Sequence, residues 1–275
     1  MSALRKTKTS TLFSAFITLL NDRLGETIVF PLLPFLLEKF TSSASTLGLL
    51  AGTYAISQFS VAPLIGALSD RFGRKPIIIS CVAGSVIGLF IFAGTVSIQW
   101  NAFLPSWAVG FPLIFLFIAR IIDGASGGTA ATATAVMADI STEENRAKTF
   151  GLIGVAFGLG FILGPGLGTA LAKFSVTLPV WAATCFALTN LAIVIWVLPE
   201  TLTKQKRNSL PKKRELNPFT QLKFVFTNPL SKKLCLAFFT FFMAFNGFTA
   251  VLVLYLKESF NWTPELSSQA FIVVG

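Results

Sequence analysis

Residues 66–76 read Gly66-Ala67-Leu68-Ser69-Asp70-Arg71-Phe72-Gly73-Arg74-Lys75-Pro76 and separate two long apolar runs. Charged residues are sparse along most of the chain, yet four lie close together in this stretch, between glycines. Each flanking run is long enough to cross a bilayer, which takes about 20 helical residues. A short, basic, glycine-containing joint of this kind is typical of a cytoplasmic turn between two transmembrane helices.

The composition of the whole chain indicates the same class of protein. Of its 275 residues, 53% are hydrophobic and 12% are charged, whereas charged residues make up about 25% of an average soluble domain. Segments of spanning length are predicted at 11–36, 45–68, 77–98, 106–130, 147–171, 178–198 and 233–257. The predicted fold is therefore an all-α membrane protein, and a soluble bundle of buried helices is the alternative.

An eighth apolar segment begins near residue 267 and is too short to cross a membrane before Gly275. We therefore expect the sequence to be a fragment or the product of a truncated reading frame. It is predicted to contain a six-helix half at 1–203, a basic linker at 204–232, and helix seven with a truncated helix eight at 233–275.

Lysines and arginines concentrate at the start of the chain and in every second joint between the predicted spans. The alternate joints hold few basic residues: Lys39, Lys173 and Lys257. Because positively charged loops stay in the cytoplasm, the N-terminus is predicted to be cytoplasmic, in a plasma or inner cell membrane. This topology and anionic lipid explain the net charge of +10 better than a nucleic-acid partner does.

The linker at 204–232 contains apolar residues at near-helical spacing: Leu216, Phe219, Leu222 and Phe226. The pattern favours a helix that lies on the cytoplasmic membrane surface. A loosely ordered basic tether is an equally good interpretation.

Ionisable residues inside the predicted spans are the candidates for a functional site, because burying a charge in a membrane is costly. The first span carries Asp22 and Glu26 one turn apart on one face, with Arg23 rotated away, and the fourth carries Arg120 and Asp123. Burial favours the neutral form of a carboxyl group and a nearby guanidinium favours the charged form, so such sets suit a protonatable site. The alternative is a set of static ion pairs that hold helices one and four together.

The fifth span is dense in glycine. Gly160, Gly164 and Gly168 recur every fourth position and therefore share one helix face, which lets another helix approach closely. Pro165 removes a backbone donor and bends the helix. The pattern favours a packing seam that also acts as a hinge, and a packing seam alone is the alternative.

The residue types that catalysis and metal binding need are scarce in this chain. It has no histidine and three cysteines, none with the spacing of a disulfide framework or metal site: Cys81, Cys185 and Cys235. It also lacks a nucleophile elbow and a P-loop. We therefore predict no enzyme activity, no cofactor and no metal site.

Five motifs, in order, resemble those of the major facilitator superfamily. The stretch 66–75 resembles its loop signature between helices two and three, and Arg120 with Gly124 resembles its fourth-helix pattern. Residues 160–168 resemble the fifth-helix antiporter motif, although Thr169 replaces a final glycine.

The remaining motifs narrow the resemblance within that superfamily. Pro199-Glu200-Thr201 closes the sixth span as in many such transporters, and residues 138–151 add to the match. The first span, from Asp22 to Pro34, resembles the opening of twelve-span drug:proton antiporters, tetracycline exporters in particular. The resemblance covers about residues 11–201.

This resemblance implies two six-helix halves that rock about a central site. Asp70 would hold the cytoplasmic side closed by binding the positive N-terminal end of a helix in the other half. Arg74 and Asp139 would pair and compete with that lock. A salt bridge that only stabilises the loop is the alternative. The implied gate comprises Gly66, Asp70, Arg71, Gly73, Arg74 and Asp139.

The implied function is proton-coupled efflux of small amphipathic compounds or drugs. Glu26 and Asp22 would carry the proton, and Arg120, beside Asp123, would tune it. The expected partners are a small-molecule substrate, protons and the lipid bilayer, with a monomeric full-length protein. The alternatives are a carrier for a sugar or metabolite, and a non-transporting fragment that acts by helix association.

Overall fold

The computed structural model describes residues 2–41, 43–102, 110–207, 217–263, 266–267 and 269–270. Over these residues the regular structure is helical. The α-helices are α1 Ser2–Val29, α2 Leu33–Leu37, α3 Ala44–Phe72, α4 Arg74–Ser97, α5 Phe111–Ala125, α6 Thr129–Ile140, α7 Arg146–Ala172, α8 Leu178–Trp196, α9 Pro218–Val225 and α10 Pro229–Phe260.

Six helical segments among these residues are long and apolar enough to cross a membrane. They are Ala44–Phe72, Arg74–Ser97, Phe111–Ile140, Arg146–Ala172, Leu178–Trp196 and Pro229–Phe260. The prediction of an all-α membrane protein is therefore confirmed.

Helix α1 lies in the middle of the bundle, against α6, α7 and α8, while α4 packs against α5 and α8. Ala15, Leu19 and Ile28 of α1 are completely buried. This position explains how a helix that contains three closely spaced charged residues fits into a membrane protein, because the surrounding helices shield it from lipid.

The first predicted span is interrupted, contrary to the expectation of one helix over 11–36. Helix α1 ends at Val29, a 3₁₀ turn covers Phe30–Leu32, and α2 begins at Leu33. Pro31 and Pro34 have no backbone N–H to continue the α-helical hydrogen bonds, and proline is favoured in the first turn of a new helix.

The fourth predicted span, 106–130, has the wrong C-terminal boundary, and its residues 106–109 lie outside the described part of the chain. Helix α5 ends at Ala125, a turn follows at 126–128, and α6 continues to Ile140. Adjacent glycines weaken the helix at this turn. Beyond it, Ala133, Val136 and Met137 are completely buried, so this small-residue segment belongs to the span.

The predicted turn between the second and third spans consists of one residue, Gly73. Helix α3 continues to Phe72 and α4 begins at Arg74, with Gly73 at φ 110° and ψ 159°. Only glycine readily adopts this backbone conformation. Most of the 66–76 stretch is therefore formed by two helix ends.

Helix α9 forms within the predicted linker, and the Phe219 ring meets the Phe59 ring edge-on at 5.8 Å. Leu216 lies outside the described residues, and the location of α9 on a membrane surface stays a prediction. Helix α10 begins at Pro229 instead of 233, because Asn228 caps it by accepting from the Leu230 N–H at 2.9 Å. Most of the predicted eighth span also lies outside the described residues.

The buried residues of helix α10, among those that the structure describes, lie in its C-terminal half. Thr249, Val253 and Leu256 are buried, whereas Leu234, Phe238 and Phe241 in the other half are 55–64% exposed. At the buried end, Lys257 Nζ lies 3.2 Å from the Glu38 carboxylate and 5.2 Å from the centre of the Phe35 ring. These contacts attach α10 to the end of α2.

Candidate functional site

A cavity of about 430 Å³ lies between α1, α3, α4, α5 and α8 and is also lined by Asn246 of α10. This volume is in the range of pockets that hold small molecules. All four residues predicted to couple protons and substrate line it, and Arg23 does too. The charged lining residues are Asp22, Arg23, Glu26, Arg120 and Asp123.

Arg23 binds both acidic residues of α1. Its Nη2 lies 2.6 Å from Asp22 Oδ2, its Nη1 pairs with the Glu26 carboxylate, and its guanidinium lies 5.1 Å from the centre of the Phe157 ring. Helical spacing predicted that Arg23 lies on a different face from Asp22 and Glu26. Its long side chain instead reaches both neighbours. An arginine between two acids inside one apolar span was the signal that pointed to this arrangement.

Arg120 and Asp123 form a looser pair on α5. The distance from Arg120 Nη1 to Asp123 Oδ2 is 3.7 Å, which exceeds hydrogen-bond length. The Arg120 guanidinium lies 4.7 Å from the centre of the Phe92 ring, a cation–π distance. Among the described residues, no ion pair joins α1 to α5, so static pairs between helices one and four are not found.

Neutral polar side chains complete the cavity wall and were missed by sequence analysis. Gln58 Nε2 donates to the Gly127 carbonyl at 2.9 Å, which fastens α3 to the turn between α5 and α6. Asn190 Nδ2 donates to the Thr18 carbonyl at 3.1 Å, which links α8 to α1. Isolated polar residues in apolar spans were the available signal. The neutral polar lining comprises Asn21, Tyr54, Gln58, Ser85, Asn190 and Asn246.

The three spaced glycines of α7 face α1 directly. A Cβ atom at Gly164 would lie 2.0 Å from Thr27 Oγ1, and one at Gly168 would lie 2.7 Å from the Ile28 carbonyl oxygen. A Cβ at Gly160 would lie 2.8 Å from Arg23 Cβ. The seam therefore fixes the part of α1 that carries the charged residues.

Pro165 is buried within α7, and the helix continues through it to Ala172. Five residues before this proline, the Gly160 carbonyl accepts a hydrogen bond from Thr27 Oγ1 of α1 at 2.8 Å. The hinge function of this segment stays a prediction.

The charged residues of the 66–76 stretch form a second cluster at the other end of α3. Arg74 Nη1 donates to Asp70 Oδ1 at 2.6 Å and to Ser69 Oγ at 2.8 Å, and its Nε donates to Asp139 Oδ2 at 3.1 Å. Arg74 therefore connects the ends of α3, α4 and α6.

Glu200, which sequence analysis noted only as part of a motif, joins this cluster from the segment after α8. Its carboxylate accepts from the backbone N–H of Arg74 at 3.0 Å and of Lys75 at 3.2 Å, at the start of α4. Thr201 Oγ1 also donates to Asp139 Oδ2 at 3.1 Å. A carboxylate at this position satisfies free donors and the positive end of the helix.

The other predicted gate residues differ in their surroundings. The Arg71 guanidinium lies 5.4 Å from the centre of the Phe72 ring. A Cβ at Gly66 would meet no described atom within 4 Å, whereas one at Gly73 would lie 2.2 Å from Glu200 Oε2. Of the two glycines in the predicted gate, Gly73 is the one that the local geometry requires.

A sequence model described as Major Facilitator Superfamily matches residues 12–275. The chain belongs to this family. It is a multi-pass membrane protein with the helical architecture just described.

Two curated relatives of this major facilitator protein carry names from drug resistance. The class C tetracycline resistance protein of Escherichia coli is 32% identical over 94% of this chain and 62% of its own length. Multidrug resistance protein 2 of Bacillus subtilis is 31% identical over 88% of this chain and 57% of its own length. The chain thus spans about three fifths of the length of these relatives.

Solved structures agree with the fold of this major facilitator protein. The human organic anion transporter MFSD10 (TETRAN) superposes with a TM-score of 0.75 at 27% identity, over 97% of this chain and 69% of the other. A D-xylose–proton symporter superposes with a TM-score of 0.68 at 19% identity, over 97% and 65%. The second similarity shows the fold alone.

Proposed function

We propose that this major facilitator protein exports small amphipathic compounds in exchange for protons by alternating access. The observation that carries the proposal is the cavity, which has the volume of a small-molecule site and contains ionisable residues from two helices. Charged groups are costly at membrane depth and mark substrate or proton pathways. The names of the tetracycline and multidrug resistance relatives support a drug-like substrate.

In this mechanism Glu26 and Asp22 carry the proton, while Arg120 and Asp123 set the charge of the facing wall. Glu26 is the natural point of proton exchange, because its side chain is 41% exposed and that of Asp22 is 16% exposed. Arg23 binds both carboxylates, so a proton taken up by either one weakens an ion pair. Protonation thereby changes the contacts of α1.

The cluster around Arg74 acts as a cytoplasmic gate in this proposal. Asp70 is shared between Arg74 and, in the other state, a helix of the second half. The glycine seam between α1 and α7 lets the first half move as one unit. We place the N-terminus in the cytoplasm and the protein in a plasma or inner cell membrane, since Lys and Arg lie in alternate joints.

Glu26→Gln tests the proposal in everted membrane vesicles that contain the protein. An acid-inside gradient should drive uptake of tetracycline by the wild type, and the variant should lose proton-driven uptake because the amide cannot bind and release a proton. Glu38→Gln is the matched control, since Glu38 pairs with Lys257 outside the cavity. It should retain uptake.

Unchanged proton-driven uptake by Glu26→Gln would remove Glu26 from the mechanism. Uptake of a sugar without uptake of any amphipathic drug would instead identify a carrier of another substrate class. Absence of uptake of every compound would favour a protein that acts only by helix association.

A further inference from the structure

The charged residues of the cavity lie on two separate walls. The α1 wall carries Asp22, Arg23 and Glu26, and the α5 wall carries Arg120 and Asp123. Among the described residues, each ion pair of the cavity joins residues of one helix only. No described ion pair therefore connects the two walls, and both face the same cavity of about 430 Å³.

The α1 wall attracts positive charge. Arg23 is the single cation between two carboxylates, so the group as a whole is negative when all three residues are ionised. Glu26 is the accessible member, with a side chain 41% exposed against 15% for Arg23. A carboxylate in this position is a strong acceptor for a cationic amine.

The α5 wall retains donors for an anion. At 3.7 Å, the Asp123 carboxylate is too distant from Arg120 Nη1 for a hydrogen bond, and Arg120 Nε has no hydrogen-bond partner among the described residues. A guanidinium carries five N–H donors and binds carboxylates through two of them at once. Because Asp123 accepts no hydrogen bond from Arg120 among the described contacts, the guanidinium keeps donor capacity, at Nε in particular, for an anionic oxygen of a ligand.

Beyond these charged residues and the neutral polar ones, the lining is apolar and includes Val29, Phe30, Leu33 and Leu89. We infer that the cavity takes dipolar compounds, in which one apolar frame carries both a cationic amine and an anionic oxygen group. The amine binds at Glu26 and the anionic group at Arg120. This inference rests on the proposed function and narrows its substrate class.

Three probes of nearly equal size test the two charges together and one at a time. Tryptophan carries both charges, its methyl ester carries only the cationic amine, and its N-acetyl derivative carries only the anionic carboxylate. Equilibrium dialysis of the purified chain in detergent measures their binding without a proton gradient. Tryptophan should bind about tenfold more tightly than either single-charge probe, since one hydrogen bond to a charged group contributes at least that factor.

Two variants assign the charges to the walls. In Glu26→Gln the advantage of tryptophan over the N-acetyl probe should disappear, while its advantage over the ester remains. In Arg120→Gln the advantage of tryptophan over the ester should disappear, while its advantage over the N-acetyl probe remains. Arg120→Lys should again bind tryptophan more tightly than the ester, because lysine keeps the positive charge. Glu38→Gln should leave both ratios unchanged, and a thermal unfolding curve checks that each variant is folded.

Equal or tighter binding of the methyl ester by the wild type overturns the inference, and so does equal binding or no binding of all three probes. Proton-driven uptake in vesicles is a separate measurement. A chain that exports drugs without preferring the dipolar probe contradicts this inference alone, whereas a chain without any uptake contradicts the proposed function.

Discussion

The two clusters of charged residues in this protein are connected in opposite ways. At the joint between α3 and α4, Arg74 binds Asp139, which is 65 positions away, and Glu200 binds the start of α4 from 126 positions away. In the cavity, the ion pairs of Arg23 and Arg120 among the described residues are with acids one to three positions away. The first cluster joins elements and the second does not.

The Arg74 cluster is thus a clamp between helices in this structure, whereas the ion pairs of the cavity leave its two walls unconnected, as the proposed mechanism requires. Ion pairs between helices hold those helices in one arrangement, so the Arg74 cluster fixes the ends of α3, α4 and α6 to the segment after α8. Pairs within one helix move with it, so the ion pairs of the cavity place no direct link between α1 and α5. In the proposed mechanism, a ligand or proton that enters the cavity changes its charges without first breaking an ion pair between helices.

Among the substitutions in the Arg74 cluster, Gly73→Ala should lower the free energy of unfolding most. Alanine is strained at φ 110° and ψ 159°, and its Cβ would lie 2.2 Å from Glu200 Oε2, so Glu200 would have to leave the start of α4. We expect the free energy of unfolding to fall by about 1–3 kcal/mol. Thermal or denaturant unfolding in detergent measures the change.

Gly66→Ala is the control for this prediction. Gly66 lies in the same stretch but inside α3, where an added Cβ meets no described atom within 4 Å. Alanine there should raise stability by about 0.5–1 kcal/mol, because it lowers the entropy of the unfolded chain. Equal losses from both substitutions would mean that the geometry of Gly73 has no special role.

The sequence predicted the fold class, most of the helices and four of the five charged residues that line the cavity, because charges in apolar spans and spaced glycines carry information that is local in the chain. It did not predict the partners of Glu200 or Gln58. Their hydrogen bonds reach residues 126 and 69 positions away, so no local pattern reveals them. The position of Arg23 was missed for another reason, since helical spacing gives the direction of Cβ and not the reach of a long side chain.

A pair of double-mutant cycles should measure the contrast between the clusters directly. One cycle combines Arg74→Gln with Asp139→Asn, and the other combines Arg120→Gln with Asp123→Asn. We expect a coupling energy of about 1.5 kcal/mol for the hydrogen-bonded pair between helices and about 0.5 kcal/mol for the 3.7 Å pair within α5. Unfolding in detergent gives both values, and a larger coupling for the α5 pair would contradict the distinction.

Glu200→Gln should have the smallest effect, because it changes the charge of the cap and keeps an acceptor oxygen. The amide can still accept from the N–H of Arg74 or Lys75, so the expected loss is the interaction of a negative charge with the start of α4, about 0.3–1 kcal/mol. Glu143→Gln is the control, since Glu143 is an exposed glutamate in the turn after α6, and it should change stability by less than about 0.5 kcal/mol. If Glu200→Gln and Glu143→Gln change the free energy of unfolding equally, the charge of Glu200 does not stabilise the clamp, which then depends on the side-chain hydrogen bonds of Arg74. A loss confined to Glu200→Gln, and reduced by high salt, would instead show that the segment after α8 holds α4 by charge.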